Sequence, residues 1–211
     1  MAVPTIQLAS SLDVIWMESA YTRACTKAEP LAQDLEPIFI AFVKRTLEVG
    51  AEQRNHWEDD LIQQANIRFL NINLDSQTSS VDKHVLLRVD MNRKDSEYQQ
   101  FFPQAPSAII KLGLESQLDV VRGWPTKLDA IDDAQIQAHG KSLGQLIVQG
   151  DAAIQARADA RARTAVHRVR RIEALIHDLN AARQSAYGEL LKRAVANDKP
   201  KAWARAFFLS E

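Results

Sequence analysis

The sequence lacks the features on which several classes of protein depend. Cys25 is its one cysteine, so no disulfide can form within the chain, and we expect a reducing, cytoplasmic location. No apolar stretch reaches the roughly 18 residues that a membrane-spanning helix needs. The first residues also lack a basic region followed by an apolar run, so we expect no secretory signal. These absences predict a cytoplasmic protein without a membrane span.

Glycine, proline and net charge are also low. The 211 residues include seven glycines and seven prolines, which leaves room for long helices because both residue types interrupt them. The net charge of −1 argues against a general polyanion binder. The charge is nevertheless uneven: residues 1–105 hold 10 Lys and Arg against 15 Asp and Glu, and residues 106–211 hold 16 against 12. Halves with net charges of −5 and +4 should pack against each other, within one chain or between chains.

Motifs that carry chemistry are missing. The sequence has no glycine-rich phosphate loop, no G-x-S-x-G, no H-E-x-x-H and no Cys/His cluster. Glu52/His56 and Glu173/His177 each place two metal-ligand types four residues apart, but di-iron bundles use Glu-x-x-His with inward glutamates from other helices. We therefore expect solvated pairs, with no metal, no cofactor and no enzymatic activity. His139 lies on an apolar stripe and is expected to be a core histidine.

A long helical stretch dominates what is present. Residues 151–197 contain no proline, and Gly188 is their only glycine. As one helix they would run roughly 70 Å and would need partners along that length. At 100° per residue their apolar side chains form one stripe, which is typical of a helix packed on other helices. The stripe consists of Ile154, Ala158, Ala165, Val169, Ile172, Ile176, Leu179, Ala186, Leu190 and Ala194.

The rest of the chain also reads as helices. We predict a first helix over about 11–29, with Leu12, Ile15, Trp16 and Ser19 on its packing face. A second begins near Pro30 or Pro37 and ends near Leu74, before a polar break over 75–80. Further helices are expected over about 81–93 and 107–121, the latter ended by Gly123 and Pro125. Thr126 should cap the next, which joins the long helix and is weakened by Gly140, Gly144 and Gly150.

The second helix carries a seven-residue repeat. Leu47, Arg54, Leu61 and Arg68 recur at that spacing, and the same stripe includes Val43, Gly50, Trp57, Ala65 and Ile72. We expect this stripe to be the packing face. Its two arginines should then pair with carboxylates of another helix, because an unpaired buried guanidinium is very unfavourable.

Together these patterns predict an all-α fold. We expect an elongated antiparallel bundle of five to seven long helices that forms a single domain over 1–211. Two segments of the sequence have similar residues at similar spacing, and we call this similarity the echo. It raises the possibility that two helical hairpins, with halves 1–105 and 106–211, arose by duplication. The favoured alternative is that the two segments became similar by convergence. Both aromatic groups of the echo should be buried, since adjacent phenylalanines in water favour aggregation. The echo relates Asn92, Lys94, Tyr98, Phe101 and Phe102 to Asn197, Lys199, Trp203, Phe207 and Phe208.

Arginines line one edge of the long helix. Arg157, Arg161 and Arg168 flank its apolar stripe, and Arg171 ends the densest basic run. We expect an interhelical row of ion pairs whose carboxylates lie between Glu48 and Asp60. The alternative is a phosphate-binding ladder. No aromatic residues interleave to stack on bases, so we expect no nucleic-acid binding at physiological salt.

We therefore expect a non-catalytic structural or interaction protein, a self-assembling or scaffolding subunit with itself or another protein as partner. Nucleic-acid or polyanion binding through Arg157–Arg171 is the first alternative, and a metal or small-ligand site within the bundle is the second. The candidate interaction residues are Arg157, Arg161, Arg168, Arg171, Phe101, Phe102, Trp203, Phe207 and Phe208.

Overall fold

The structure is a computed structural model that describes residues 3–209, and these are 81% helical with no strand. A 3-10 turn, Pro30–Leu35, leads into α2, and a π-helical segment, Arg168–Glu173, joins α7 to α8. These junctions create two uninterrupted helical runs of 59 and 63 residues, so the predicted all-α class is confirmed. The α-helices are α1 (Leu12–Ala28), α2 (Glu36–Arg88), α3 (Ser96–Gln99), α4 (Pro106–Ile110), α5 (Leu114–Val121), α6 (Trp124–Asp129), α7 (Ala134–His167), α8 (Ala174–Ala196) and α9 (Lys201–Arg205).

The chain forms two compact units. The first contains the described residues up to Trp57 together with those from Ala162 onward, and the second is Glu58–Arg161. Each unit has its own apolar core. The first unit combines both ends of the sequence, and the second unit is its middle. The units therefore do not coincide with the sequence halves 1–105 and 106–211. A duplication of those halves stays a prediction.

Within each unit the long helices run antiparallel. Side chains that pair across them have residue numbers that rise on α2 as they fall on the α7–α8 run. The pairs are Arg45 with Asp178 and Glu52 with Arg171 in the first unit, and Asp60 with Arg161 and Gln77 with His139 in the second.

The predicted polar break over 75–80 is wrong, because α2 continues through it. Ser79 and Ser80 donate their hydroxyl protons to the carbonyls four residues earlier, at 2.9 and 3.0 Å. Thr78 is buried, and its hydroxyl accepts a hydrogen bond from Nε2 of Gln117 at 3.2 Å. Hydroxyl side chains that are satisfied in this way no longer compete with the helix for its backbone groups.

The π-helical segment moves the buried face of the long helix. The predicted stripe is buried at Ile172 and at every later position but not at Val169, which is exposed. Between residue 151 and the segment the buried positions are instead Ala153, Ala160 and His167, at seven-residue spacing. Ile172 follows His167 by five residues, in keeping with the i→i+5 bonding of a π-helix. A wheel drawn with a constant α-helical period therefore gives the wrong face in the first half.

The short helices also differ from prediction. Gly113 separates α4 from α5, so the helix expected over 107–121 is two helices. Trp124 begins α6, which places Thr126 inside that helix instead of at its cap. The carboxylate of Asp133 accepts hydrogen bonds from two backbone amides at 2.9 and 3.1 Å, and this residue caps the start of α7.

Glycines of α7 serve as contact points for the short helices. A Cβ at Gly150 would lie 2.7 Å from Cδ1 of Leu118, and one at Gly140 would lie 3.2 Å from both Cβ of Leu128 and the carbonyl oxygen of Pro125. The absence of a side chain at these positions lets α5 and α6 approach closely. The glycines expected to weaken this helix therefore lie within one continuous helix and are used for packing.

Both aromatic pairs are buried, as the sequence predicted: Phe101 with Phe102, and Phe207 with Phe208. An indole ring meets each pair edge-on, with centroid distances of 4.9 Å from Trp124 to Phe102 and 5.1 Å from Trp203 to Phe207. These aromatic residues therefore pack within the chain itself.

We expect the double change Phe207→Ala and Phe208→Ala to destabilise the fold strongly, because truncating a buried phenylalanine costs about 3–5 kcal/mol. The midpoint of thermal unfolding should fall by about 10 °C or more. Circular dichroism on heating measures it. Val195→Ala, at a side chain that is 78% exposed, is the control and should melt like the wild type. An unchanged midpoint in the double variant would show that this pair does not hold the C-terminal segment in place.

Candidate interaction surface

A cleft of roughly 520 Å³ lies on the first unit, beside α1 and α2. Trp16 of α1 borders it, as do Leu47, Arg54 and Trp57 of α2, together with Arg168 of the π-helical segment. Both indole rings are about half exposed. Tryptophan and arginine are the residue types that contribute most to protein–protein binding. The composition of the cleft is therefore typical of an interaction surface.

The exposure of Trp16 follows from how α1 packs. The helix buries Ile15 together with a narrow line of hydroxyl-bearing side chains, Ser19, Thr22 and Thr26. The hydroxyl of Ser19 donates to the carbonyl of Ile15 at 2.8 Å, so it can be buried without an outside partner. This line leaves Trp16 facing the cleft. The prediction that Trp16 packs inside is wrong.

The seven-residue repeat of α2 also faces outward. Leu47, Trp57 and Leu61 are more than half exposed, and Arg54 and Arg68 are exposed as well. No carboxylate of the described residues forms an ion pair with either arginine, so the predicted pairing is wrong.

The repeat faces outward because of the composition of the inner face of α2. At the middle of the helix that face carries polar side chains. In the first unit the ring of His56 lies 4.9 Å from that of His167, and in the second unit Asp60 meets Arg157 and Arg161. A hydrophobic pattern selects the more apolar face, and in the middle of α2 that face is the one that the fold leaves outside.

Three of the candidate arginines meet carboxylates of α2. Arg157 and Arg161 lie 3.9 and 3.6 Å from Asp60. Arg171 donates two hydrogen bonds to Glu52, at 2.9 and 2.7 Å, which lower the pKa of that carboxyl. Both carboxylates fall in the range that the sequence predicted. The pairs of Arg161 and Arg171 are exposed enough to contribute little to stability, and all three pairs neutralise charge that a phosphate would otherwise meet.

Arg168 behaves differently from the other three. Its guanidinium donates to the backbone carbonyls of Leu8 and Ser10, the latter at 3.5 Å, where the sequence predicted a carboxylate. Its charge therefore has no carboxylate partner in the described chain, and neither has that of Arg54. Asp13 is the one acidic residue among the described residues that line the cleft. The cleft consequently carries more positive than negative charge.

The N-terminal segment that leads into the cleft is held by side chains of α8. Asn180 accepts from the backbone amide of Ile6 and donates to its carbonyl, both at 2.9 Å. Arg183, which is almost fully buried, donates to the carbonyl of Pro4 at 3.0 Å and lies 2.9 Å from a carboxylate oxygen of Glu18. Contacts between polar side chains and an extended backbone leave no periodic signal, so sequence reasoning missed them. They fix the chain just before the residues that border the cleft.

Two histidines face each other in the second unit. Nδ1 of His84 lies 3.0 Å from Nε2 of His139 and 2.8 Å from the carbonyl oxygen of Ser80. Nε2 of Gln77 lies 3.0 Å from Nδ1 of His139. Burial lowers the pKa of His139, the charge of His84 adds to that shift, and Asp133 opposes it. His139 is partly buried with polar partners, where the sequence predicted a core position.

The expected Glu52/His56 pair does not form. Glu52 bonds instead to Arg171 and to His167, whose Nε2 is 3.2 Å from the carboxylate. Sequence reasoning overlooked His167, which the shift of the helix face buries. His177 of the other pair is exposed.

Among residues 3–209 no helix is long and apolar enough to cross a membrane. No group of three or more His, Cys, Asp or Glu in that range is placed to hold a metal ion. No protein-family model matches the chain, and neither a curated protein nor a solved structure matches it. A proposal for its function therefore rests on the chain's own surfaces.

Burial lowers the pKa of His139 below its ordinary value of 6.5, so the fold favours the neutral imidazole. This stabilisation is complete above the unfolded pKa and is lost as the pH falls through 6.5 toward the lower folded pKa. We expect the free energy of unfolding to decrease from about pH 7.5 to about pH 5, and to decrease less in His139→Gln. Denaturant titrations at both pH values measure it. The exposed-site control His177→Gln should keep the wild-type dependence; equal dependence in His139→Gln would contradict the expectation.

We expect the triple change of Arg157, Arg161 and Arg168 to Gln to lower stability only modestly, since ion pairs near the surface are worth about 0–1 kcal/mol each and Arg168 donates to backbone carbonyls. A mobility-shift titration with DNA and RNA at two salt concentrations should show no binding by wild type or variant. Arg170→Gln, at an exposed position of the same helical run, is the control for loss of positive charge. Tight, salt-dependent binding that disappears in the triple variant would establish the phosphate ladder instead.

Proposed function

We propose that the chain is a non-catalytic, self-assembling protein whose cleft on the first unit receives a second copy. The observation that carries the proposal is a pair of half-exposed tryptophans, Trp16 and Trp57, beside the unpaired guanidinium of Arg54. In the isolated chain these aromatic side chains are left partly in water, and the guanidinium has no carboxylate partner among the described residues.

Apolar burial would supply the affinity. Trp16, Leu47 and Trp57 all border the cleft and each leaves about half of its surface in water. Removing apolar surface from water is worth about 25 cal/mol per Å², and a rigid indole ring loses little conformational freedom when it is covered. Large side chains grouped in this way mark interaction sites far more than single exposed ones do.

Charge favours a second copy as the occupant. The unit that carries the cleft holds 15 Lys and Arg against 12 Asp and Glu, a net of +3. The other unit holds 11 against 15, a net of −4. The chain itself therefore offers the acidic surface that two guanidinium groups would attract, and complementary charge guides docking and fixes its orientation.

Nucleic acid is the weaker alternative. Arg157, Arg161 and Arg171 already lie against Asp60 and Glu52, so a phosphate would have to displace a carboxylate from each. No observation of the described chain favours that exchange.

We expect the protein to sediment as a dimer or a larger species at tens of micromolar. Leu47→Glu should make it monomeric, because a carboxylate would be placed on the apolar wall that the second copy covers. Its thermal midpoint should stay unchanged, since Leu47 is exposed. Sedimentation velocity measures both proteins, with Val148→Glu as the matched control on an exposed valine of α7. A wild-type protein that stays monomeric at several hundred micromolar would overturn the proposal.

A further inference from the structure

A short extended segment, residues 3–6, lies along α8 in the manner of a bound peptide. Three side chains of α8 donate hydrogen bonds to its backbone carbonyls, and one of them also accepts from a backbone amide of the segment. We call residues 3–6 the lead segment and the three side chains the α8 site. The contacting pairs are Asn180 with Ile6 at 2.9 Å, Arg183 with Pro4 at 3.0 Å and Gln184 with Val3 at 2.9 Å. Each of these contacts is made with backbone atoms, so the site recognises an extended chain.

Two side chains of the lead segment add apolar anchors to these backbone contacts. Val3 and Ile6 are 5% and 7% exposed, and both belong to the apolar core of the first unit. In the recognition of extended peptides, main-chain hydrogen bonds supply affinity and side-chain pockets supply specificity. The α8 site therefore accepts an extended peptide that carries two apolar residues three positions apart.

The α8 site is built around a buried charge. Arg183 is 1% exposed, and its guanidinium lies 2.9 Å from a carboxylate oxygen of Glu18 and 5.6 Å from the centre of the Phe208 ring. The carbonyl of Pro4 gives this guanidinium a further acceptor. Loss of the lead segment would remove that acceptor and would return both apolar anchors to water, and both changes are unfavourable. The site consequently needs an occupant, but its contacts are the same whichever copy supplies the peptide.

A turn connects the lead segment to α1. The backbone amide of Ser10 donates to the carbonyl of Gln7 at 3.0 Å, and Arg168 donates to the carbonyls of Leu8 and Ser10. Ala9, within this turn, borders the cleft. The second copy that we place at the cleft would therefore lie beside the residues that have to open if the lead segment is to reach another copy.

Building on the self-assembly proposed above, we infer that two copies exchange their lead segments. In the assembly each lead segment occupies the α8 site of the other copy, and the two chains cross beside the clefts. Exchange reproduces every contact between the lead segment and its site, so these contacts favour neither the monomer nor the dimer. Opening the turn opposes the exchange, and burial of the apolar side chains at the cleft favours it. The cleft therefore drives association, and the exchanged segments slow dissociation because both must leave their sites before the copies separate.

Cross-linking shows which copy supplies the lead segment. In a Cys25→Ser background, Thr5→Cys on the segment and Ala181→Cys beside Asn180 place two thiols at exposed positions, and a short bismaleimide joins them. Exchange predicts that the link joins two copies, so a denaturing gel should show a covalent dimer. A segment held by its own chain would give the mass of a monomer. Each single-cysteine variant is the control and should also stay at the mass of a monomer.

Mixing two variants tests whether the α8 site accepts a segment from another copy. Ile6→Asp disrupts the lead segment by placing a carboxylate at a buried position, and the pair Asn180→Ala and Gln184→Ala removes hydrogen bonds from the site. In an equimolar mixture an intact segment can meet an intact site only between copies. The mixture should therefore associate at least about tenfold more tightly than either variant alone, which sedimentation equilibrium measures. Mixing Ile6→Asp with Val3→Asp is the matched control and should gain nothing, since neither copy has an intact segment.

The two experiments separate the exchange from the self-assembly on which it rests. A wild-type protein that stays monomeric would overturn both. If the wild type sediments as a dimer but the maleimide links lie within single chains, the exchange is wrong and the self-assembly stands. A mixture of segment and site variants that gains no more than the control mixture would likewise overturn the exchange alone.

Discussion

The polar middle of the inner face of α2 determines which apolar residues of that helix are left exposed. A helix of this length has two long faces, and the fold covers one of them. In the first unit the covered face brings Glu52 and His56 against His167, and in the second it brings Asp60 against Arg157. Pairing polar groups with polar groups satisfies them where they are partly buried. The consequence is that apolar side chains on the opposite side of the helix, such as Leu47 and Leu61, remain in water.

The π-helical segment separates the roles of neighbouring arginines. Ordinary α-helical geometry would keep Arg168 and Arg171 one turn apart on nearly the same face. In the structure Arg171 reaches Glu52, whereas Arg168 reaches the backbone of the N-terminal segment and borders the cleft. π-helical turns inside α-helices are often found at functional sites. The same basic run therefore contributes an ion pair between helices through Arg171 and a charged side chain at the border of the cleft through Arg168.

Sequence patterns predicted the elements better than their faces. Helix class, the antiparallel arrangement, the burial of Phe101 and Phe207 and the carboxylate partners of Arg157 all follow from composition and spacing. Which side chains are exposed could not be predicted in this way. A hydrophobic repeat identifies an apolar stripe, but it does not show whether the same chain or another one covers that stripe. Leu61 and Trp57 satisfied every rule for a packed position and are exposed. The π-helical segment shifts the buried face of the other long helix, and no residue type in the sequence predicts such a segment.

The form of the proposed assembly depends on how the cleft and the charge distribution are used. The opposite net charges of the two units would also permit a head-to-tail contact, in which the acidic unit of one copy meets the basic unit of the next. Such a contact leaves one cleft and one acidic surface unused at the ends, so it continues into an open filament unless rotation closes it. A contact in which each copy places the same surface around the cleft of the other would use both clefts at once, and a two-fold assembly of that kind would close as a dimer.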